Sequence, residues 1–243
     1  MDFSHLERII TLRARFSEKT PHEEVAIRNE MNRYVAFVKE LATVHPDITG
    51  HWYVNNGKDE KPPYSNPFPN TTTEEKLIQQ RIEDSVESYL LWNGLTYKDS
   101  RFEGDPSRNM SLSLDCFSLD CEISDRRCLA TPQVDFFINL VQIVLKHFSV
   151  RSLSVWPDPL FEKMTFQHRV KCGWVHFAPA ILTAKHLPEA EMLIPINNAL
   201  NQGTIIVATR TDFVGKEPEL IDGVNKIAMR LVDMELLPLI TAG

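Results

Sequence analysis

The sequence predicts an α+β fold, in which helices pack on a mixed and largely antiparallel sheet. Short segments rich in β-branched and aromatic residues alternate with segments whose apolar residues recur every three or four positions. The order strand–strand–helix occurs twice, near 110–148 and near 170–236, without a sequence repeat at a fixed period. A chain of 243 residues, 43% of them hydrophobic, can bury one large core, so we expect a single domain over residues 1–243.

The N-terminal segment predicts a strand and then a long amphipathic helix. Residues 6–16 alternate loosely in polarity and favour a strand, with a short helix as the alternative. Thr20 is a good N-cap, Pro21 suits the first helical position, and Glu23 completes a capping box. Apolar residues then recur every three or four positions until Pro46, where we expect the helix to end.

A proline-rich segment separates this helix from the next one. Residues 55–72 contain four prolines, which cannot occupy the interior of a helix or a central strand. We interpret this segment as an exposed loop and as a candidate part of a binding surface. Residues 73–92 predict a second helix, because their apolar stripe has helical spacing and Glu74 and Glu75 suit the positive end of the helix dipole.

The C-terminal half predicts further strands, each followed by a covering helix. Residues 131–148 are apolar on nearly every side, so we expect that helix deep in the core. The β-branched run within residues 203–213 predicts a strand in a central position. The other predicted elements are two strands within 110–125 joined near Ser118–Asp120, strands at 152–157 and 170–179, a short helix at 159–164, and a last helix at 217–238.

Charge and composition restrict the classes of function. The formal net charge is −7, whereas a general DNA or RNA binder is usually basic, because phosphate contacts supply most non-specific affinity. We therefore expect no direct nucleic-acid binding and a preference for a basic partner. No apolar run follows a basic start and no window approaches 18 uncharged apolar residues, so we expect a cytoplasmic protein without a membrane span. The four cysteines lack any C-x-x-C pair, which favours free thiols over a zinc site.

The segment VKCGWVHFAP, residues 170–179, contains the most reactive-looking side chains of the chain. In a strand, Cys172, Trp174 and His176 share one face, and the thiol and imidazole lie about 13–14 Å apart. This separation exceeds the hydrogen-bond reach that a catalytic cysteine–histidine pair needs. We interpret the segment as part of the scaffold, with a catalytic pair as the alternative.

A second candidate is a cluster of carboxylates, Asp115, Asp120, Glu122 and Asp125. Metal-dependent nucleases use such carboxylates, often with a lysine, but no lysine lies close in this sequence. We favour an acidic strand rim over a metal site. The histidines show no metal-ligand spacing, and no phosphate-binding or hydrolase motif is present. We therefore expect neither an enzyme nor a cofactor, a metal or a small-molecule substrate.

Several segments resemble the immunity protein 52 family. The segments are CGWVHFAP at 172–179, the proline-bearing spacer at 187–195, GTIIVATRTDF at 203–213, the closing helix to ELLPLI, and the earlier HWYVNNG and SLSLDCF. The resemblance extends over nearly the whole chain and implies a mixed α+β fold. It also implies an immunity protein of a polymorphic-toxin or type VI secretion system, which neutralises a DNase toxin with a restriction-endonuclease-like fold. It implies no catalytic residue.

An acidic immunity protein can occupy the basic groove of a nuclease as a competing polyanion. The candidate partner-binding residues are the carboxylates Asp115, Asp120, Glu122, Asp125, Asp59 and Glu60 and the aromatic anchors Tyr64 and Phe68. The alternative for each is ordinary: surface carboxylates maintain solubility, and aromatic residues pack a loop against the core. Two other functions stay open, a metal-dependent hydrolase that uses the acidic cluster near 115–125 and an adaptor of the secretion apparatus.

Overall fold

The protein is described by a computed structural model that covers residues 9–45, 48, 50–54, 66–84, 88–93, 110–124, 134–157, 163–210 and 217–240. The strands are β1 (Ile9–Phe16), β2 (Trp52–Val54), β3 (Pro67–Phe68), β4 (Ser88–Asn93), β5 (Met110–Asp115), β6 (Ser118–Ser124), β7 (Val150–Pro157), β8 (Val175–Ala178), β9 (Met192–Asn197) and β10 (Gln202–Val207). The helices are α1 (Glu24–Leu41), α2 (Thr71–Asp84), α3 (Val134–His147) and α4 (Glu217–Asp233).

The strands form one ten-stranded sheet in the order β3-β2-β4-β5-β6-β1-β7-β8-β10-β9. Every neighbouring pair in it is antiparallel. The predicted α+β fold with a largely antiparallel sheet is therefore confirmed.

Strand β1 lies in the middle of the sheet and joins its two halves. It pairs with β6 on one side and with β7 on the other, so that Leu12 faces both Cys121 and Val155. Strands β2 to β6 lie beyond the first of these pairings, and β7 to β10 lie beyond the second. The N-terminal strand thus supplies the hydrogen bonds that make a single sheet from both parts of the chain.

The two faces of the sheet differ in chemistry because successive strand residues point to opposite sides. On one face, which we call the covered face, Ile10, Leu12 and Ala14 of β1 are almost completely buried. Helix α3 contacts α1 and strands β7 and β8 there, and the ring of Phe148 stacks on Phe16 at 4.8 Å. The opposite face, which we call the polar face, presents Thr11, Arg13 and Arg15 from β1, among other residues.

The second helix is shorter than predicted. Helix α2 ends at Asp84, and residues 88–92, predicted as helix, belong to β4 instead. Within β4, Tyr89, Leu91 and Asn93 are buried, and the residues between them are more exposed. This alternation has the period of a strand, and pairing with β2 and β5 stabilises it.

The end of the proline-rich segment is ordered rather than an exposed loop. Pro67 and Phe68 pair with β2 at the edge of the sheet, where a missing backbone N–H is tolerated. Asn70 caps α2, because its side-chain oxygen accepts hydrogen bonds from the backbone N–H groups of Thr72 at 3.0 Å and Thr73 at 3.4 Å. The prediction of a loop at 55–65 lies outside the described residues.

The predicted start of the first long helix is wrong. Helix α1 begins at Glu24, and Glu23 precedes it in an extended conformation without a side-chain cap. Thr20 is held outside the helix because its backbone N–H donates to the Cys116 carbonyl at 3.0 Å. Tertiary pairing with the β5–β6 hairpin thus overrides the capping signal.

Other predicted strand limits also change. The β5–β6 turn lies at Cys116–Phe117, not near 118–120, and the strand predicted at 170–179 is reduced to β8. Strand β10 lies second from the edge rather than in the centre of the sheet. Its outer neighbour is β9, in a segment interpreted as a spacer.

A buried ion pair connects α1 to α2 under the sheet. The side chains of Glu30 and Arg81 form this pair and are 2% and 3% exposed. Tyr34 and Tyr89 lie beside it, and their hydroxyl groups donate to the carbonyls of Asp115 and Leu77. Removing one charge of such a pair leaves the other charge buried without compensation.

We expect Arg81→Met to destabilise the protein by about 3–5 kcal/mol, because it leaves the buried Glu30 carboxylate without its cationic partner. The double variant Glu30→Met with Arg81→Met should recover most of this loss, because it removes both desolvated charges. Urea denaturation followed by circular dichroism measures both values. A double variant that is less stable than Arg81→Met would contradict the interpretation.

Candidate functional site

The reactive-looking side chains of the VKCGWVHFAP segment are buried in the core. His176 is 1% exposed, Cys172 is 3% exposed and Trp174 is 1% exposed. The Trp174 ring lies 5.5 Å from the ring of Phe137, and its indole N–H donates to the Thr209 carbonyl at 2.7 Å. Burial raises the pKa of the Cys172 thiol to about 12, which keeps it protonated and unreactive at neutral pH.

His176 forms a hydrogen-bonded chain that the sequence did not indicate. Its Nδ1 lies 2.8 Å from the hydroxyl of Ser154, the cross-strand neighbour on β7. The Ser154 hydroxyl donates its only hydrogen to the Lys171 carbonyl, so Nδ1 must carry the hydrogen that joins the two side chains. In this tautomer His176 cannot accept the serine proton, so the pair has a structural role.

Gly173 allows the segment to approach β7 closely. A Cβ atom at this position would overlap the carbonyl oxygen of Val155 and would lie 2.8 Å from its backbone nitrogen. The contact is with backbone, which cannot rotate away as a side chain can. The glycine–tryptophan pair therefore marks tight packing of a crossing segment on the sheet.

The candidate carboxylates lie on the polar face, where the strand register aligns side chains in rows across the sheet. One row contains Leu90, Ser113, Asp120, Arg13 and Ser154. A second row contains Trp92, Ser111, Glu122, Thr11 and Trp156. A third row contains Ser88, Asp115, Ser118, Arg15 and Ser152. The structure thus brings Asp115, Asp120 and Glu122 to one surface in three neighbouring rows.

This surface carries both signs of charge. Asp120 accepts a hydrogen bond from Nε of Arg13 at 2.6 Å, and both side chains are partly exposed. Asp115 accepts from the backbone N–H of Phe117 at 3.2 Å and shapes the hairpin turn. Arg13 and Arg15 on β1 therefore lie beside the acidic residues of β5 and β6. The partner-binding role of the carboxylates stays a prediction.

The other candidates divide into two groups. Asp125, Asp59, Glu60 and Tyr64 lie outside the described residues. Phe68 is 3% exposed and pairs with Trp52, so its ring packs in the core and is not presented to a partner in this conformation. This agrees with the alternative that an aromatic residue of the segment packs against the core.

A concavity of about 430 Å³ adjoins the charged rows. Its floor comes from β1 and β7, and its walls are the β5–β6 turn, the segment before β8 and the C-terminal segment. Its described lining residues are Arg13, Arg15, Phe117, Arg151, Ser152, Ser154, Trp156, Val170, Lys171, Leu239 and Ile240. We call this feature the groove. Sequence reasoning missed it, although the alternation in TLRARF already indicated that both arginines share a face.

The described residues contain no group of three or more histidine, cysteine, aspartate or glutamate side chains arranged to hold a metal ion. Among the described helices, none combines the length and the apolar character that crossing a bilayer requires.

We expect Gly173→Ala to destabilise the protein by several kcal/mol or to prevent folding, because the new methyl group overlaps backbone. Gly223→Ala is the matched control. It lies in α4 with open space around the position of a Cβ atom, and we expect it to raise the free energy of unfolding by about 0.5–1 kcal/mol. Thermal melts of both variants measure the difference, and equal melting temperatures would contradict the close approach.

Burial lowers the pKa of His176 from 6.5 to about 4. Between these values the unfolded chain binds one more proton than the folded chain, so stability falls as the pH falls. We expect this histidine to contribute a slope of about 1.4 kcal/mol per pH unit in that window. His176→Gln should lose this part of the slope, as measured by denaturation at pH 4, 5, 6 and 7. An unchanged slope in the variant would show that the histidine is not buried in its neutral form.

Comparisons with known proteins add little to this description. No family model matches the chain, and no curated protein matches it. Among solved structures, the Pseudomonas aeruginosa T6SS protein PA0821 is weakly similar, with a TM-score of 0.46 and 12% sequence identity. The match covers 90% of this chain and 73% of that chain. A likeness this weak carries no argument about function, so the resemblance to the immunity protein 52 family stays a prediction.

Proposed function

We propose that this chain is an immunity protein, which binds a DNase toxin of a type VI or polymorphic toxin system in the cytoplasm and neutralises it by protein–protein contact. The proposal is carried by the polar face. Its three rows present Asp115, Asp120 and Glu122 beside arginine and aromatic side chains on paired strands. The toxin class comes from the resemblance of the C-terminal segments.

The polar face has the features that protein interfaces use. Its side chains stand on hydrogen-bonded strands, so a complex need not order a flexible loop in this part of the surface. Arginine and aromatic residues are enriched at the energetic centres of interfaces, and Arg13, Arg15 and Phe117 lie together here. Charges of both signs in fixed positions select one partner over others, because a wrong partner brings like charges together.

The net charge of −7 supports a basic partner. A nuclease needs a cationic surface to hold phosphates, and an acidic protein is attracted to that surface at long range. On this proposal the chain catalyses no reaction and needs no cofactor. Its protective effect depends on the fraction of toxin that it occupies.

The test is a DNA-cleavage assay with the toxin encoded beside this gene. We expect one equivalent of the purified chain to abolish cleavage of plasmid DNA. Because the chain acts by binding and not by catalysis, inhibition should reach its maximum at one chain per toxin molecule. Unaffected cleavage at a tenfold excess of the chain would refute the proposal.

The role of the acidic rows needs its own variant. We expect Asp120→Arg with Glu122→Arg to weaken toxin binding at least tenfold, because like charges then face a cationic partner. Glu219→Arg with Glu83→Arg is a control with the same charge change at exposed positions on α4 and α2. Isothermal titration calorimetry compares the three proteins. Equal affinities for the two double variants would show that the acidic rows are not the contact.

A further inference from the structure

The groove differs in charge from the rest of the molecule. Its described lining includes the cations Arg13, Arg15 and Arg151 and no carboxylate, whereas the whole chain carries a net charge of −7. Lys171 also lines it, but this residue is buried and its Nζ donates to the Phe166 carbonyl and to the Gln167 side chain. Asp120 pairs with Arg13 beside the lining and offsets one of these charges. The groove is therefore a local basic site on an acidic protein.

Two guanidinium groups of the groove are held against aromatic rings. The Cζ atom of Arg15 lies 5.4 Å from the ring centroid of Phe117, and that of Arg13 lies 5.8 Å from the ring centroid of Trp156. A guanidinium held over a ring keeps its N–H edge directed away from the ring, where a carboxylate can bind it, and Arg13 already binds Asp120 through Nε. The two arginines are thus arranged before any ligand binds.

Apolar side chains stand beside these cations. Phe117, Leu239 and Ile240 are 38%, 56% and 55% exposed, and all three line the groove. The C-terminal wall is ordered, because the Ile240 N–H donates to the His168 carbonyl at 2.9 Å and Arg169 donates to the Leu237 carbonyl at 2.7 Å. Exposed apolar residues grouped around cations favour a protein segment over a small inorganic anion, which would use the charges alone.

We propose that the groove binds an acidic segment of a partner protein, in which one or two carboxylates flank a large apolar side chain. The carboxylates pair with Arg15 and Arg151, and the apolar side chain packs among Phe117, Leu239 and Ile240. This inference goes beyond the proposed function, because it stands on the groove itself and holds whatever activity the partner has. For a nuclease toxin, the acidic segment in the groove would lie beside the cationic surface that faces Asp115, Asp120 and Glu122.

The test is a selection of random 12-residue peptides, displayed on phage, on the immobilised full-length chain. We expect the enriched peptides to carry Asp or Glu within two positions of Leu, Ile or Phe. The affinity of a synthetic copy, measured by fluorescence polarisation, should fall at least tenfold for Arg15→Glu with Arg151→Glu. Phe117→Ala should weaken peptide binding several-fold without a change of charge. This single variant keeps the test decisive if the double variant does not fold.

The matched control is Lys39→Glu with Lys185→Glu, which makes the same charge change at exposed positions outside the groove. We expect it to bind the selected peptide within twofold of the parent chain. Failure to enrich any acidic peptide, or equal binding to the groove and control variants, would overturn the proposal. Tighter binding of inorganic phosphate or of a 12-nucleotide single strand than of any peptide would also overturn it. None of these results depends on whether a toxin is neutralised.

Discussion

The structure depends on the pairing of β1 with both β6 and β7. These neighbours come from distant parts of the chain, and Arg13 faces Asp120 on one side and Ser154 on the other. Such contacts form only after long loops have closed, so their cost in chain entropy is high. In return, a single N-terminal strand unites two groups of strands that would otherwise each end in an exposed edge. The whole sheet, and therefore its polar face, requires this strand in register.

The same register determines where chemistry can occur. A shift by one residue would exchange Leu12 with Arg13 between the faces, and the burial of the apolar set forbids this shift. Burial of the covered face therefore fixes the strand register, and the register in turn fixes the positions of the charged rows on the polar face. The residues that look most reactive, Cys172 and His176, are buried, and His176 is hydrogen-bonded inside the protein. The residues on the polar face that a partner can contact are arginines, carboxylates and a few apolar side chains.

Long-range and short-range electrostatics differ in this molecule. In ordinary buffer, salt screens the field of each individual charged group beyond about 10 Å. The weak field that an approaching partner meets at longer distance has the sign of the net charge, which is negative. At contact distance the same surface presents Arg13, Arg15 and Arg151 together. A partner that complements both the net charge and the groove has a basic surface overall and an acidic segment where it meets the groove. This pairing of opposite requirements makes the interface selective, since a purely basic partner is repelled by the groove.

The sequence by itself determined the fold class, most helix and strand positions and the acidic character. These properties follow from local periodicity and from composition, which do not depend on contacts between distant parts of the chain. It also marked β1 through the alternation of TLRARF. Only the tertiary structure decided that residues 88–93 pair as β4, that Thr20 is held outside α1, and that Phe68 is buried, since each depends on a partner far along the chain. The groove belongs to the same category. Its residues come from β1, the β5–β6 turn, β7, the segment before β8 and the C-terminal segment, and no local pattern connects them before the sheet has formed.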